Sequence, residues 1–328
     1  MGIYDVNDIR LANYRPFSSQ NLYFGYIPVD LKAMFDLIFP TDKHENYVIS
    51  INHTSSKEFN VLASNRIVDL HFNGDSVCIF LYAYNAQGEK INNITDWGLE
   101  QFVKHYNDKT ITKEDIFNYT YAALHDPSYR QKYELNLKRE FPRLPFYENF
   151  RKWADWGKAL MDLHTNYESV QPYDLKVNSF EIKAEAKRQK ELITMVSEET
   201  SDYGRQTRVK TKLRADKEKG IIEIDELTYL SGVPKSAWDY KLGNRSALEW
   251  ILDQYKEKKP SDPTIAEKFN NYRFADYKDH VIDLLKRVCT VSVETMKIVE
   301  EMGVGSIEKS KKQNDMLLQV VMKEKLDR

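Results

Sequence analysis

An Asp-Pro pair set inside a helical stretch constrains this chain more than any other feature. From Thr112 to Pro145 the sequence reads TKEDIFNYTYAALHDPSYRQKYELNLKREFPRLP. Proline lacks an N–H and fixes φ, so it suits the first position of a helix and not its interior. Asp126-Pro127 therefore closes one helix and starts another, with Asp126 as the cap. Thr112 caps the first helix, and Glu114 and Asp115 lie in its first turn, where the dipole favours negative charge. Ile116, Phe117, Tyr121 and Leu124 share one face at helical spacing. In the second helix Tyr129, Tyr133 and Leu137 recur every fourth residue, while Arg130, Lys138 and Arg139 lie elsewhere on it. Pro142 and Pro145 stop it. The expectation is a rigid two-helix corner with Tyr129 and Tyr133 packed inward, one flank aromatic and one basic.

The chain has 328 residues, enough for one large domain or two small ones. Its 48 basic and 50 acidic side chains balance. A polyanion partner would thus have to meet local basic patches rather than a global field. Cys78 and Cys289 are the only cysteines, which excludes a disulfide framework or a zinc cluster and fits a reducing cytoplasm. His44, His53 and His71 are too scattered for a metal site. No apolar run reaches membrane-spanning length and no signal-peptide pattern opens the chain. The polar, abrupt start MGIYDVNDIR suits a segment cut from a longer protein, and a monomer is expected.

The patterning predicts an α+β fold, a strand-rich N-terminal part packed on a larger, mostly helical part. Residues 1–30 read as a connector, with Tyr14-Arg15-Pro16-Phe17 resisting helix and a short strand at Asn21–Tyr26. Within 31–328, strands are expected over 45–85, at Tyr47–Ile51, Ile67–Phe72 and Val77–Tyr82, with a turn at Asn73-Gly74-Asp75. The loop Asn52–Asn60 is rich in small hydrogen-bonding side chains, a chemistry that either reads base edges or merely solvates a turn. Residues 96–170 read as helical, with Trp153 and Trp156 in the core. A charged helix over Glu181–Glu199 and a hairpin near 205–224 follow, the second inserted among helices. In that hairpin Arg208, Lys210, Lys212 and Arg214 alternate with Val209, Thr211 and Leu213, so four cations share one face of a strand. Such a strip is either a solvated edge strand or a row facing an anionic partner. Residues 235–328 read as helical again. Ser246 and Glu249 form a capping box for a helix reaching about Lys258, and a long packing helix starts near Val281.

Three of these blocks, in order along the chain, resemble one family. ITKEDIFNYTYAALHDPSYRQKYELNLKREFPRLPF is similar to a pattern in the C-terminal part of large bacterial restriction-modification proteins, in particular the Type ISP family. Asn13-Tyr14-Arg15-Pro16-Phe17 resembles an element just past the methyltransferase core of those proteins. Gly232–Tyr240 followed by Gly243–Trp250 resembles their final signature. The resemblance implies a target-recognition domain that binds duplex DNA and positions an adenine for a methyltransferase domain of the same polypeptide. S-adenosylmethionine, ATP and Mg would be required by the parent enzyme, with no cofactor in this chain. Candidate DNA contacts are Arg15, Asn52, Thr54, Ser55, Ser56, Lys57, Arg130, Arg143, Arg208, Lys210, Lys212, Arg214, Lys235 and Arg245. Base-edge contacts would specify sequence, while phosphate contacts would fix register.

Catalytic motifs are missing from the sequence. There is no (N/D)PP(Y/F) segment for a target amine, no phosphate-binding GxxxxGK[ST] loop, no nucleophile elbow and no HExxH. Glu185-Ala186-Lys187 imitates part of a nuclease motif in isolation. The chain alone is expected to be catalytically silent. The rival reading is a protein-docking domain that makes no DNA contact.

Overall fold

The computed structural model describes residues 5–25, 34–52, 58–74, 76–180, 209–258, 262–264, 268, 272–304 and 316–317. The stretch read as a connector is, over its described residues, a β-hairpin. β1 (Ile9–Arg15) and β2 (Ser18–Tyr23) pair antiparallel, with Arg15 opposite Ser18. Pro16 pre-sets the corner, and Phe17 takes φ 55°, a left-handed conformation that is costly for a bulky side chain. Burial offsets that cost. Phe17 is 2% exposed and meets the rings of Tyr167 and Tyr240 edge-on at 5.3 and 6.5 Å. The strand expected at Asn21–Tyr26 lies three residues earlier because cross-strand pairing, not the apolar run, sets its limits.

A short α1 (Phe35–Ile38) precedes β3 (Val48–Asn52), which is flanked antiparallel by β4 (Val61–Ser64) and β6 (Ser76–Phe80). Alternate side chains leave opposite faces of a strand, so this sheet divides two cores. Val48 and Leu62 enter one hydrophobic cluster, whereas Ile49, Ile51, Val61 and Ala63 enter the other. Of the expected strand Ile67–Phe72 only β5 (Ile67–Val68) forms, parallel to β1. Asp69 ends it, its carboxylate accepting the His71 N–H at 2.8 Å. β7 (Tyr82–Tyr84) and β8 (Lys90–Asn92) make a further hairpin.

The second cluster is built by helices. α2 (Asp96–Tyr106) leads to α3 (Lys113–Ala123), which begins with Thr112 and Asp115 in a reciprocal capping box. After the expected Asp126 cap, α4 (Pro127–Lys132) stops at Tyr133 and α5 (Glu134–Leu137) restarts, so the second arm of the corner is two short helices. Tyr129 is buried and donates its hydroxyl to Arg143 O at 2.8 Å, while Tyr133 is only half-buried. β9 (Arg143–Leu144) follows, and then α6 (Phe150–Thr165) packs on α3. Gly157 of α6 lies directly against the α3 backbone at Asn118.

In the C-terminal half the expected hairpin belongs to a four-stranded sheet. β10 (Lys176–Ser179), β11 (Thr211–Asp216), β12 (Ile221–Asp225) and β13 (Thr228–Ser231) stand in the order β10-β13-β12-β11, so β11 is an edge strand. Gly220, at φ 62°, completes the β11–β12 turn, and the Val233 carbonyl lies where a side chain would go. Asp225 makes the β12–β13 turn by accepting the Leu227 and Thr228 N–H groups at 2.8 Å each. α7 (Ser236–Asp239), β14 (Lys241–Leu242) and β15 (Arg245–Ser246) lead into α8 (Ala247–Gln254). Its Ser246–Glu249 capping box forms as expected, but it ends at Gln254 rather than near Lys258. α9 (Lys278–Val304) spans both clusters, contributing Val281 and Leu285 to one and Met302 to the other.

The fold is α+β. The charged helix expected over Glu181–Glu199 lies outside the described residues. Among those residues, no helix is long and apolar enough to cross a membrane.

Candidate nucleic-acid interface

The loop between β3 and β4 is held at its neck by asparagines. Asn52 donates to Glu58 O at 2.6 Å and accepts the Asn60 N–H at 2.6 Å. It is 2% exposed, so both ends of its amide brace the loop and are not free to read bases, contrary to the expectation. Asn60 donates to Asn73 O at 3.1 Å, and Asn73 in turn exchanges hydrogen bonds with Ser50 at 2.8 and 2.9 Å. The Gly243 turn between β14 and β15 closes on the same place, since a Cβ there would stand 3.5 Å from Asn60 Nδ2. Three segments distant in sequence therefore meet at one end of the β4-β3-β6 sheet. Thr54, Ser55, Ser56 and Lys57 lie outside the described residues. Asn60 and Asn73, read in the sequence as a loop end and a turn residue, were not among the candidate contacts, because only tertiary pairing brings them together.

Arg130 approaches this neck from α4. Its guanidinium lies over the Phe59 ring, 5.6 Å from the centroid, and Nε donates to Leu124 O at 2.6 Å. It is thus not on a solvated flank, as spacing suggested. Burial pulls its pKa below the usual arginine value, opposed by nearby Tyr240, Tyr121 and Asp126. Beneath it runs a buried polar chain. The Tyr121 hydroxyl accepts the Ala63 N–H at 2.8 Å and meets His164 Nδ1 at 2.6 Å, and His164 Nε2 meets Thr295 Oγ1 at 2.9 Å. His125 Nδ1 meets Tyr121 O at 2.8 Å.

Burial keeps both histidines neutral. His164 is pushed down to about 3, and His125 well below the ordinary histidine value, with the Arg130 charge adding to the effect of burial. In the unfolded chain both would titrate near the ordinary value of about 6.5. Below that pH the unfolded state binds more protons, so stability is complete above about pH 6.5 and falls as pH drops toward the folded values. From pH 7 to pH 5, His164 alone should lower stability by about 2 kcal/mol, with His125 acting in the same direction. Urea unfolding at the two pH values measures this. His164→Asn should flatten the dependence, and equal wild-type stability at pH 5 and pH 7 would contradict it.

The basic strand only partly keeps its alternation. Lys210, Lys212 and Arg214 are exposed, but a bulge breaks the register between Thr211 and Arg214, with Leu213 buried at φ 37°. Lys212 lies 3.8 Å from Glu223 and over the Phe180 ring at 5.2 Å. Arg208 lies outside the described residues. Residues from beyond α8 complete a cleft of about 510 Å³ lined by Val209, Lys210, Thr211, Lys212, Lys256, Glu257 and Lys258. Lys256 and Lys258 carried no signal in the sequence. They follow a helix in an ordinary polar stretch and gain meaning only from standing opposite β11.

The remaining candidates are spread out. Arg15 is held by Asp69 at 3.1 Å and by the carbonyls of Tyr14 and His71. That network packs the hairpin corner, and the other end of the guanidinium donates to the Tyr14 hydroxyl at 3.4 Å. Arg143 pairs with Glu140 at 3.2 Å. Lys235 is exposed at the start of α7. Arg245 pairs with Asp253 at 3.1 Å and covers the Trp250 ring at 5.2 Å. Among the described residues no three His, Cys, Asp or Glu side chains gather to hold a metal ion.

The sequence model for the Type ISP C-terminal specificity domain matches residues 2–284. The chain belongs to this family. Solved structures agree. It is 44% identical to a chain in a cryoEM structure of a DrdV–DNA complex, with a TM-score of 0.80, covering 93% of this chain and 29% of that one. A nuclease-deletion mutant of the Type ISP restriction-modification enzyme LlaGI, in complex with a DNA substrate mimic, is 26% identical over 94% of this chain and 26% of its own, with a TM-score of 0.68. The ATP-dependent Type ISP enzyme LlaBIII bound to DNA shares the fold, with a TM-score of 0.71 at 24% identity, over 94% of this chain and 19% of its own. The specificity-domain chain thus spans less than a third of the length of the structures it matches. No curated protein sequence matches it.

Proposed function

We propose that this specificity domain recognises a particular duplex-DNA sequence and presents an adenine within it to a methyltransferase domain of the same polypeptide. The observation that carries the reading is the 44% identity, over 93% of the chain, to a protein solved in complex with DNA. The geometry supports it. A braced loop neck, an arginine lying over Phe59 and a glycine turn converge at one sheet end, a rigid frame for groups that read base edges. Methyl transfer and cleavage, with S-adenosylmethionine, ATP and Mg, fall under this reading to other parts of the parent enzyme. A target base must leave the stack to react, and this domain's part is to fix the register of the duplex while it does so.

Binding of the purified chain to labelled duplex DNA with rising salt tests the proposal. Affinity should fall steeply between about 50 and 200 mM salt, as phosphate contacts release counterions. A salt-independent interaction, or none, would favour a protein-docking role.

A further inference from the structure

We propose that the lysine cleft between β11 and the segment after α8 is a groove for the phosphodiester backbone of duplex DNA, beside the base-facing loops. The inference rests on the DNA-recognition reading and adds where, and by what chemistry, the backbone is held.

Four lysines, Lys210, Lys212, Lys256 and Lys258, converge there from two segments about 45 residues apart, and among the described residues of the lining Glu257 is the one acidic side chain. The Glu257 carboxylate is already engaged, accepting the Phe274 N–H at 2.9 Å. Elsewhere on the molecule lysines sit in close ion pairs, such as Lys138–Glu134 and Lys158–Asp162 at 2.7 and 2.6 Å. In the cleft Lys212 and Lys258 hold their carboxylates only at 3.8 and 3.4 Å. Lys210 and Lys256 make no ion pair among the described residues. Glu223 and Asp253 offset these like charges only in part, and a polyanion relieves the remaining repulsion.

The lining also says which part of DNA would lie there. Among the described residues of the lining there is no Arg, Asn or Gln to pair with a base edge in bidentate fashion. Lysine is a flexible point charge suited to phosphate. Among the described residues no strand pairs with the outer side of β11, where a backbone could run along it.

Continuity with the loop cluster comes through Asp253. Its Oδ2 is 3.1 Å from Arg245 Nη1 and 3.4 Å from Lys258 Nζ. Arg245 closes the Gly243 turn, which abuts Asn60. One carboxylate therefore joins the end of the lysine groove to the turn beside the loop neck. A duplex read at the loops would meet the groove with its flanking phosphates, and Asp253 would release Arg245 and Lys258 to them.

The test is fluorescence anisotropy with a labelled random-sequence duplex over a range of salt. Relative to wild type, the Lys256→Gln/Lys258→Gln double variant should bind at least about 10-fold more weakly at low salt. Its slope of log affinity against log salt should be shallower by about two units, one per lost phosphate contact. Asp253→Asn should act in the opposite direction, with tighter binding and a steeper slope, so the groove stays testable if the double variant fails to fold. Lys297→Gln, remote and paired with Glu294 at 2.7 Å, should leave the slope unchanged. Wild-type binding with an unaltered slope in both cleft variants would overturn the groove alone. No wild-type binding to any duplex would overturn the DNA reading itself.

Discussion

Replacing Gly157 by alanine should destabilise the domain by about 3 kcal/mol, although alanine is the better helix former by about 1 kcal/mol. Gly157 lies inside α6 where that helix crosses α3. A Cβ there would stand 1.8 Å from the Asn118 carbonyl oxygen and 3.2 Å from the Ala122 nitrogen. Both obstacles are backbone, so no rotamer change relieves the overlap and the helices must move apart. Their separation would loosen Phe117, Tyr121 and Leu160, each buried in the second cluster. Interiors packed at crystal density do not absorb such a shift locally. Chemical denaturation of the two proteins measures the difference. A gain in stability of the size of the propensity term would show that the helices do not approach this closely.

Tyr121→Ala should cost about 4 kcal/mol and Tyr121→Phe about 2 kcal/mol, the first as a core truncation and the second as loss of buried hydrogen bonds. The ring is fully buried and its hydroxyl joins three elements. It accepts from Ala63 in β4 and meets His164 in α6, which itself meets Thr295 in α9. Phenylalanine keeps the packing and leaves the Ala63 N–H without its acceptor. The two substitutions therefore separate packing from polar cost. Equal stabilities of wild type and Tyr121→Phe would mean that water replaces the hydroxyl and that the chain of hydrogen bonds has no structural weight.

Local signals were legible in the sequence. Thr112, Asp126 with Pro127, and Ser246 with Glu249 all cap helices as read, because a cap depends on neighbours within one turn. β3 was legible from its β-branched, mostly apolar residues. β1, β10 and β13 were not, and β2 was legible only in its second half, because Ser18–Tyr23 and Lys176–Ser179 are largely polar and become strands through cross-strand pairing. The site follows the same division. Its family was legible from three blocks of residues, and the exposure of Lys210, Lys212 and Arg214 from alternation. The bracing role of Asn52, the seat of Arg130 over Phe59 and the arrival of Lys256 and Lys258 opposite β11 are tertiary facts without a local signature.

Recognition of one DNA sequence is the central claim, and selection from a pool of random duplexes tests it most directly. The chain, immobilised, is challenged with the pool at near-physiological salt through several rounds, and the retained duplexes are sequenced. A single motif should emerge, with each wrong base pair costing about 1–3 kcal/mol in direct binding. Substitutions at the Asn52–Asn60 loop should change the base preferred at individual positions, whereas Lys256→Gln/Lys258→Gln should weaken retention of every sequence alike. A retained pool as random as the input, from a folded chain that binds duplex DNA, would contradict sequence recognition by this domain.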